Sequence, residues 1–369
     1  MDENDSKPKV ILGPFKTGNV GSISLLNTVF KNNIIDKYDV IPFYTDRNKG
    51  NTSLSEFNFR NVIYFLKQNL SLIHLVRRVK PDIFHFSLHS YWSMEKSLAM
   101  IGIAKFFGAK KTIAHLHGGS FEKFWTEMHP IRKKRARKLF KNVDLILVAS
   151  TYWKEFFKKH EFPNQTHIVN NPINEDFVNS LEKVKSTKRN KKFLFIGSLG
   201  ERKGTYDLLK VAEENKSFSL ILIGNSEKRG DFEKISRIIE EKQLRNIELI
   251  KSDRLALDDK VRYFSECGCF IFPSYIENFP LVIIEAAAAQ MPIITTRVGA
   301  IPEFFKDKQD VLFVEAGDIA QINDAIDQIQ NSDELAEFLG NNARQVYLNK
   351  LHLSYIIDQL DEGYQKVLS

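Results

Sequence analysis

PSYIENFPLVIIEAAAAQMPIITTRVGAIPE (273–303) is the stretch that decides how this chain is read. Before it runs CFIFPS, an apolar segment with the character of a buried parallel strand that Pro273-Ser274 close. A polar loop carrying Glu277 comes next. Apolar residues return at 281–284 and lead into alanines, strong helix formers. The spacing predicts Glu277 in a loop beyond a strand and Glu285 in the second turn of the following helix. A helix start attracts phosphate because its first N–H groups point outward without partners. A carboxylate one turn inside can accept hydrogen bonds from vicinal hydroxyls such as those of a ribose. A further strand, PIITT, follows in order. The pattern therefore predicts a site for a nucleotide-diphosphate sugar.

These residues resemble the donor-binding signature of the retaining glycosyltransferases of family 4 (glycosyl transferases group 1). The resemblance implies the GT-B fold: α/β, with two Rossmann-like doubly wound domains facing across a cleft. It also implies that Glu277 lies by the transferred sugar and Glu285 binds the nucleotide ribose. Asn278, Phe279, Pro280 and Leu281 would form the loop whose amides hold the diphosphate. Many members have glycines where this chain has Asn278 and Pro280. Pro280 has no N–H, so diphosphate contact falls to neighbouring amides such as those of Phe279, Leu281 or Val282. VGAIPE (298–303) resembles the family's usual turn and helix start.

Outward from this stretch, strand-like runs alternate with helical patterns along the whole chain, the mark of doubly wound α/β domains. KVILG, YDVIPF, DIFHFS, KKTIAHLH, VDLILVAS and THIVN serve the first half; KFLFIG, FSLILIG, NIELI, CFIFPS, PIITT and DVLFVE serve the second. Asn171-Pro172 and a Lys-rich polar stretch mark the crossover. The expected division is an acceptor-side domain over 1–172 and a nucleotide-sugar-binding domain over 173–345. A C-terminal helix over 346–369 would return to the first domain, as the resemblance implies.

Three other segments carry chemistry. FIGSLGERKG (195–204) is a strand end followed by a glycine-rich turn, with Arg202 and Lys203 supplying charge for a departing diphosphate. It resembles the family's second donor motif, which implies that Lys203 clamps phosphate. Ser198 occupies the place of the family's arginine, and Arg202 is the candidate substitute. LGPFKTGNVGSIS (12–24) follows the first strand, where open α/β sheets place ligand loops. The family's loop here covers the donor phosphates, which implies a donor-binding role for Gly18 and Asn19. The glycines do not make the spaced triplet of nicotinamide enzymes. TIAHLHGGSF (112–121) sets His115 and His117 on one side of a strand end. With no third ligand nearby, no metal is expected. The resemblance implies that His117 sits by the transferred sugar and that His115 lies deeper, as a core residue.

Charge and composition set the partners. Residues 1–172 hold 27 Lys/Arg against 14 Asp/Glu, and the remainder 26 against 32. A basic first half, densest in IRKKRARKLFKN (131–142), suits an anionic partner such as a membrane surface or a pyrophosphate-linked acceptor. No zinc-finger, RNA-binding or helix-turn-helix signature points to nucleic acid. Cys267 and Cys269 share one apolar strand and read as structural residues in a reducing compartment. The polar start, MDENDSKPK, is unlike a secretory signal, and no stretch approaches the roughly 20 apolar residues of a spanning helix. A cytoplasmic enzyme, peripheral on the inner face of the membrane, is expected. Trp92 and Trp125, just past strand ends, are leads for sugar or membrane contact.

Together these readings predict a metal-independent transferase with no cofactor, and the resemblance implies that it is retaining. It would move a sugar from a UDP- or GDP-sugar to a glycan or lipid-linked acceptor in bacterial surface polysaccharide assembly. Two alternatives stay open on the sequence: a nucleotide-sugar 2-epimerase, and a non-catalytic nucleotide-sugar-binding subunit of a glycan-assembly complex.

Overall fold

Residues 6–17, 22–45, 59–184 and 189–369 are described by a computed structural model. The chain divides into two units: unit 1 is Met1–Pro172 with Ser354–Ser369, and unit 2 is Ile173–Leu353. The strands of unit 1 are β1 (Lys9–Phe15), β2 (Asp39–Tyr44), β3 (Ile83–Leu88), β4 (Lys111–Leu116), β5 (Leu145–Val148) and β6 (Gln165–Ile168). Those of unit 2 are β7 (Phe193–Ile196), β8 (Leu220–Gly224), β9 (Ile247–Lys251), β10 (Cys269–Phe272), β11 (Ile293–Thr296) and β12 (Leu312–Val314).

Every pairing is parallel, in the orders β2-β1-β3-β4-β5-β6 and β12-β11-β10-β7-β8-β9. Parallel strands need helical crossovers, and these cover both sheet faces. That explains the unbroken apolar runs: LILV of β5 and CFIF of β10 are buried throughout. Two Rossmann-like doubly wound domains are present, as the alternation of strands and helices predicts. In each sheet the strand order reverses once, between β1 and β3 and between β7 and β10. Ligand loops gather at the carboxyl ends of strands beside such a reversal. Two of the sequence motifs, 197–204 after β7 and 273–280 after β10, fall on that point of unit 2.

The two faces of the unit 1 sheet differ. Phe84, Phe86, Leu88, Ala114 and Leu116 face an apolar core shared with Trp125, Phe140, Trp153 and Phe157. Trp125 is 1% exposed and stacks on Phe121, so that tryptophan is core packing and offers nothing to a sugar or membrane. The opposite face of the same strands carries His85, Ser87 and His115, all fully buried.

Helix Leu353–Leu368 covers this polar face, burying Leu353, Ile356, Leu360, Tyr364 and Val367 at helical spacing. Polar contacts fix its rotation. Asn170 N–H donates to Gln359 Oε1, and Gln359 Nε2 donates back to Asn170 Oδ1, each at 2.9 Å. Asp361 accepts from Lys37 and from the Tyr38 hydroxyl, both at 2.6 Å. Both cysteines are free and buried.

Candidate functional site

Unit 2 builds its site from the two loops at the strand-order reversal. β7 ends at Ile196, and the chain turns through Gly197–Gly200 into a 3-10 turn, Glu201–Lys203. Gly204 then takes φ 71°, and a Cβ there would lie 2.2 Å from the Pro273 carbonyl oxygen. Glycine is therefore what allows this turn to rest against the end of β10. The contact is locked from the other side: Tyr275 N–H donates to the Arg202 carbonyl at 2.8 Å.

The consequence is a side-chain cluster. Lys203 pairs with Glu277, and Ser274 Oγ donates to the same carboxylate oxygen at 2.8 Å. Burial holds the Lys203 ammonium below its ordinary pKa, against the opposing pull of Glu277. Arg202 donates through Nε to Glu227 and through Nη1 to the Ile276 carbonyl at 3.2 Å, with Nη1 4.0 Å from Glu277. Ser198 is exposed on the same turn. Arg202 thus stands at the cluster, steered by Glu227, which is supplied from beyond β8.

Loop 277–280 leads into helix Leu281–Ala288, with Pro280 as its N-cap. Ile283 N–H turns back to the Pro280 carbonyl at 3.1 Å, so Leu281 and Val282 keep the outward amides of the helix mouth. Phe279 stacks on Phe304 with ring centroids 4.8 Å apart and anchors the loop. Gly299, at φ 57°, closes it from behind: a Cβ there would lie 2.2 Å from the Asn278 carbonyl oxygen. Asn278 is 5% exposed, and neither polar atom of its side chain has a hydrogen-bond partner. Buried amides are seldom left so. Glu285, also 5% exposed, pairs through Oε1 with Lys260, while Oε2 has no partner. Lys260 comes from helix Leu257–Glu266 and lies over the Phe177 ring at 5.1 Å.

Unit 1 contributes a separate cluster at the ends of β3 and β4. The rings of His115 and His117 lie 4.1 Å apart, tilted by 37°. Burial pushes the His117 imidazole down to about 3, with the nearby His89 and His85 acting in the same direction and Asn171 opposing. Gly118 stands against Ser90, whose Oγ would be 3.1 Å from an added Cβ. Gly18 and Asn19 lie outside the described residues. Among the described residues no group of three or more His, Cys, Asp or Glu is placed to hold a metal ion.

Lys203, Arg202, Glu277 and the 278–281 loop therefore come together in unit 2, with Glu285 one turn further along. Glu227, Lys260, His85 and Tyr364 were not singled out by sequence. Each acts through a partner distant in the chain, and no local pattern marks them.

Comparison with known proteins gives the class. The family model for glycosyl transferases group 1 matches residues 176–346, and that for glycosyltransferase family 4 matches residues 39–177. The chain belongs to the GT-B glycosyltransferases that carry these two domains. It is 27% identical over 178 residues to the capsular polysaccharide biosynthesis glycosyltransferase CapM of Staphylococcus aureus, covering 47% of this chain and 46% of that protein. The chain spans about half the length of the first curated relatives it matches. Sucrose-phosphate synthase of Thermosynechococcus elongatus shares the fold with a TM-score of 0.74 at 16% identity, over 98% of this chain and 99% of the other. Anabaena Alr3699/HepE, solved with UDP-glucose, gives a TM-score of 0.71 at 14% identity over 97% and 99%.

Proposed function

We propose that this chain transfers a sugar from a nucleotide-diphosphate sugar to an acceptor hydroxyl, with retention at the anomeric carbon. The observation that carries the reading is the convergence of Lys203, Arg202 and the Leu281–Val282 amides beside Glu277 at the strand-order reversal of unit 2. These are cationic and N–H groups where a diphosphate accumulates charge as the glycosyl bond breaks. Glu285 Oε2 is the free acceptor for ribose hydroxyls. The reading assigns Glu277 and His117 to the transferred sugar, and Asn278, Phe279, Pro280 and Leu281 to the diphosphate loop. The solved complex of HepE with UDP-glucose supports a nucleotide-sugar donor. Because side chains and amides meet the phosphate charge, transfer needs no divalent cation.

The acceptor we favour is a glycan or lipid-linked glycan of bacterial surface polysaccharide, a setting that the similarity to CapM supports. A membrane surface is the accompanying partner. Helix Pro130–Phe140 turns Ala136 and Phe140 inward and exposes Ile131, Lys134, Arg135 and Lys138 along one stripe. Those three cations have no ion-pair partner among the described residues. Trp92, 67% exposed, lies under the Arg132 guanidinium at 4.7 Å. Such a basic face with apolar tips suits anionic headgroups. No helix among the described residues is long and apolar enough to cross a membrane.

The test is a panel of UDP- and GDP-sugars with glycan and lipid-linked acceptors, products read by mass spectrometry and anomeric configuration by NMR, with and without EDTA. Acceptor-dependent transfer with retention, unchanged by EDTA, is expected. Epimerised donor formed without acceptor would replace this reading with an epimerase. Donor binding without any product would replace it with a binding subunit.

A further inference from the structure

The buried polar face of the unit 1 sheet holds titratable groups that the transfer chemistry leaves unused. The Tyr364 hydroxyl lies 2.7 Å from His85 Nδ1, and His85 Nε2 lies 3.2 Å from His115 Nδ1. His115 in turn lies against His117, ring centroids 4.1 Å apart and tilted by 37°, and its Nε2 is buried with no partner. Ser87, the register neighbour of His115 on β3, is buried with its Oγ equally unpartnered. Tyr364 is held by an edge-on contact with Tyr38, rings 5.1 Å apart. Gly363 lets the helix backbone lie close to β5 and β6: a Cβ there would meet His167 Cδ2 at 3.0 Å and Leu147 Cδ2 at 3.3 Å.

Each neutral imidazole has one N–H and one lone pair, so this row can be ordered in only two ways. Tyr364 donates to His85 Nδ1, His85 Nε2 donates to His115 Nδ1, and His115 Nε2 then carries a hydrogen. In the reverse order His115 Nδ1 donates to His85 Nε2, His85 Nδ1 donates to the Tyr364 oxygen, and His115 Nε2 is a bare lone pair. Both orders conserve protons, and they differ only in the hydrogen held at each link. Burial keeps the rings uncharged: His85 is pushed down to about 3, and His115 well below its ordinary value.

We propose that Tyr364, His85 and His115 form a proton-ordering row that positions His117, the ring placed against its open end. With its one hydrogen donated to His85 Nδ1, Tyr364 selects the Nε2–H tautomer of His85, His85 in turn that of His115, and His115 Nε2 fixes what the face of His117 meets. All three are positioning residues. The inference rests on the assignment of His117 to the sugar end of the transfer reaction.

The experiment uses the full chain labelled with 15N-histidine, comparing Tyr364→Phe with the parent. Imidazole nitrogen shifts, assigned by single substitutions, report the tautomers of His115 and His117 directly. Loss of the hydroxyl is expected to change both patterns. It should also lower kcat on the order of tenfold, with KM for the donor and affinity for UDP unchanged. Should Tyr364→Phe fail to fold, His85→Gln serves: it keeps a polar group beside Tyr364 but has no second ring nitrogen to pass the order on. Unchanged His115 and His117 patterns would overturn the proposal, as would a change confined to His115 with kcat intact. The nitrogen shifts need no turnover, so an absence of transfer with every donor would refute the function while leaving the row to be judged on its own.

Discussion

Lys203 and Glu277 meet as an ion pair with side chains only 12% and 8% exposed, although 74 residues separate them in sequence. Removing either partner from so buried a pair strands a charge. Lys203→Met should cost about 3–5 kcal/mol of unit 2 stability, and the double substitution with Glu277→Gln should recover part of that loss. Chemical denaturation of the four members of this cycle gives the coupling; strict additivity would show that the pair does not act as one.

Glu285 depends on Lys260 in a similar way, and here the readout is ligand binding. Lys260→Ala leaves Glu285 without its cation, and an affinity loss of about tenfold for UDP is expected. Glu285→Ala should weaken UDP more, by removing the free Oε2 itself. Calorimetric titration measures both, and equal UDP affinity in all three proteins would rule out the ribose assignment.

Gly299→Ala tests the wall behind the loop. The added methyl meets the Asn278 and Glu277 carbonyl oxygens, at 2.2 and 2.6 Å, and the residue must hold φ 57°. Displacement of the 277–280 segment should weaken UDP about tenfold. Circular dichroism should stay unchanged. Retained affinity would mean that the segment tolerates movement.

Acid should act on unit 1. Burial lowers the folded-state pKa of His85 and His117 to about 3, and of His115 well below its usual place, while unfolded histidines titrate near 6.5. Between those values the unfolded chain binds protons that the folded one refuses. Stability therefore falls as pH drops from about 6.5 towards 3, by about 1.4 kcal/mol per pH unit for each neutral histidine. All three tryptophans, Trp92, Trp125 and Trp153, lie in unit 1, so their fluorescence reports its unfolding. The urea midpoint should be clearly lower at pH 5 than at pH 7. Equal midpoints would show that the histidines are not held neutral.

The basic stripe has its own assay. Reversing Lys134, Arg135 and Lys138 to glutamate should abolish co-sedimentation with phosphatidylglycerol vesicles at low salt, each cation contributing about 1 kcal/mol. No sedimentation of the parent protein at either low or high salt would remove the membrane from the proposal.

Strands and helices were legible because buried parallel strands write continuous apolar runs: CFIF, LILV and LILIG each became a strand. The Glu277 loop and the helix from Leu281 were legible for the same reason, a strand end followed by helix-forming alanines. What the chain concealed is contact between distant segments. Nothing near Glu285 announces Lys260, and nothing near Arg202 announces Glu227, since each pair is made by the fold and not by spacing. Trp125 misled because a position just past a strand gives no sign of which way its ring turns. His85 sat unremarked inside DIFHFS, a polar residue whose partner Tyr364 comes 279 positions later.

Unit 1 is assembled from two pieces of chain, with unit 2 spelled out between them. On the ribosome, residues 173–353 emerge and can condense before the helix that seals His85 from water has been made. Vectorial folding would ordinarily favour the leading domain. Here the leading domain has to wait, its histidine face open to solvent, until the trailing one is complete.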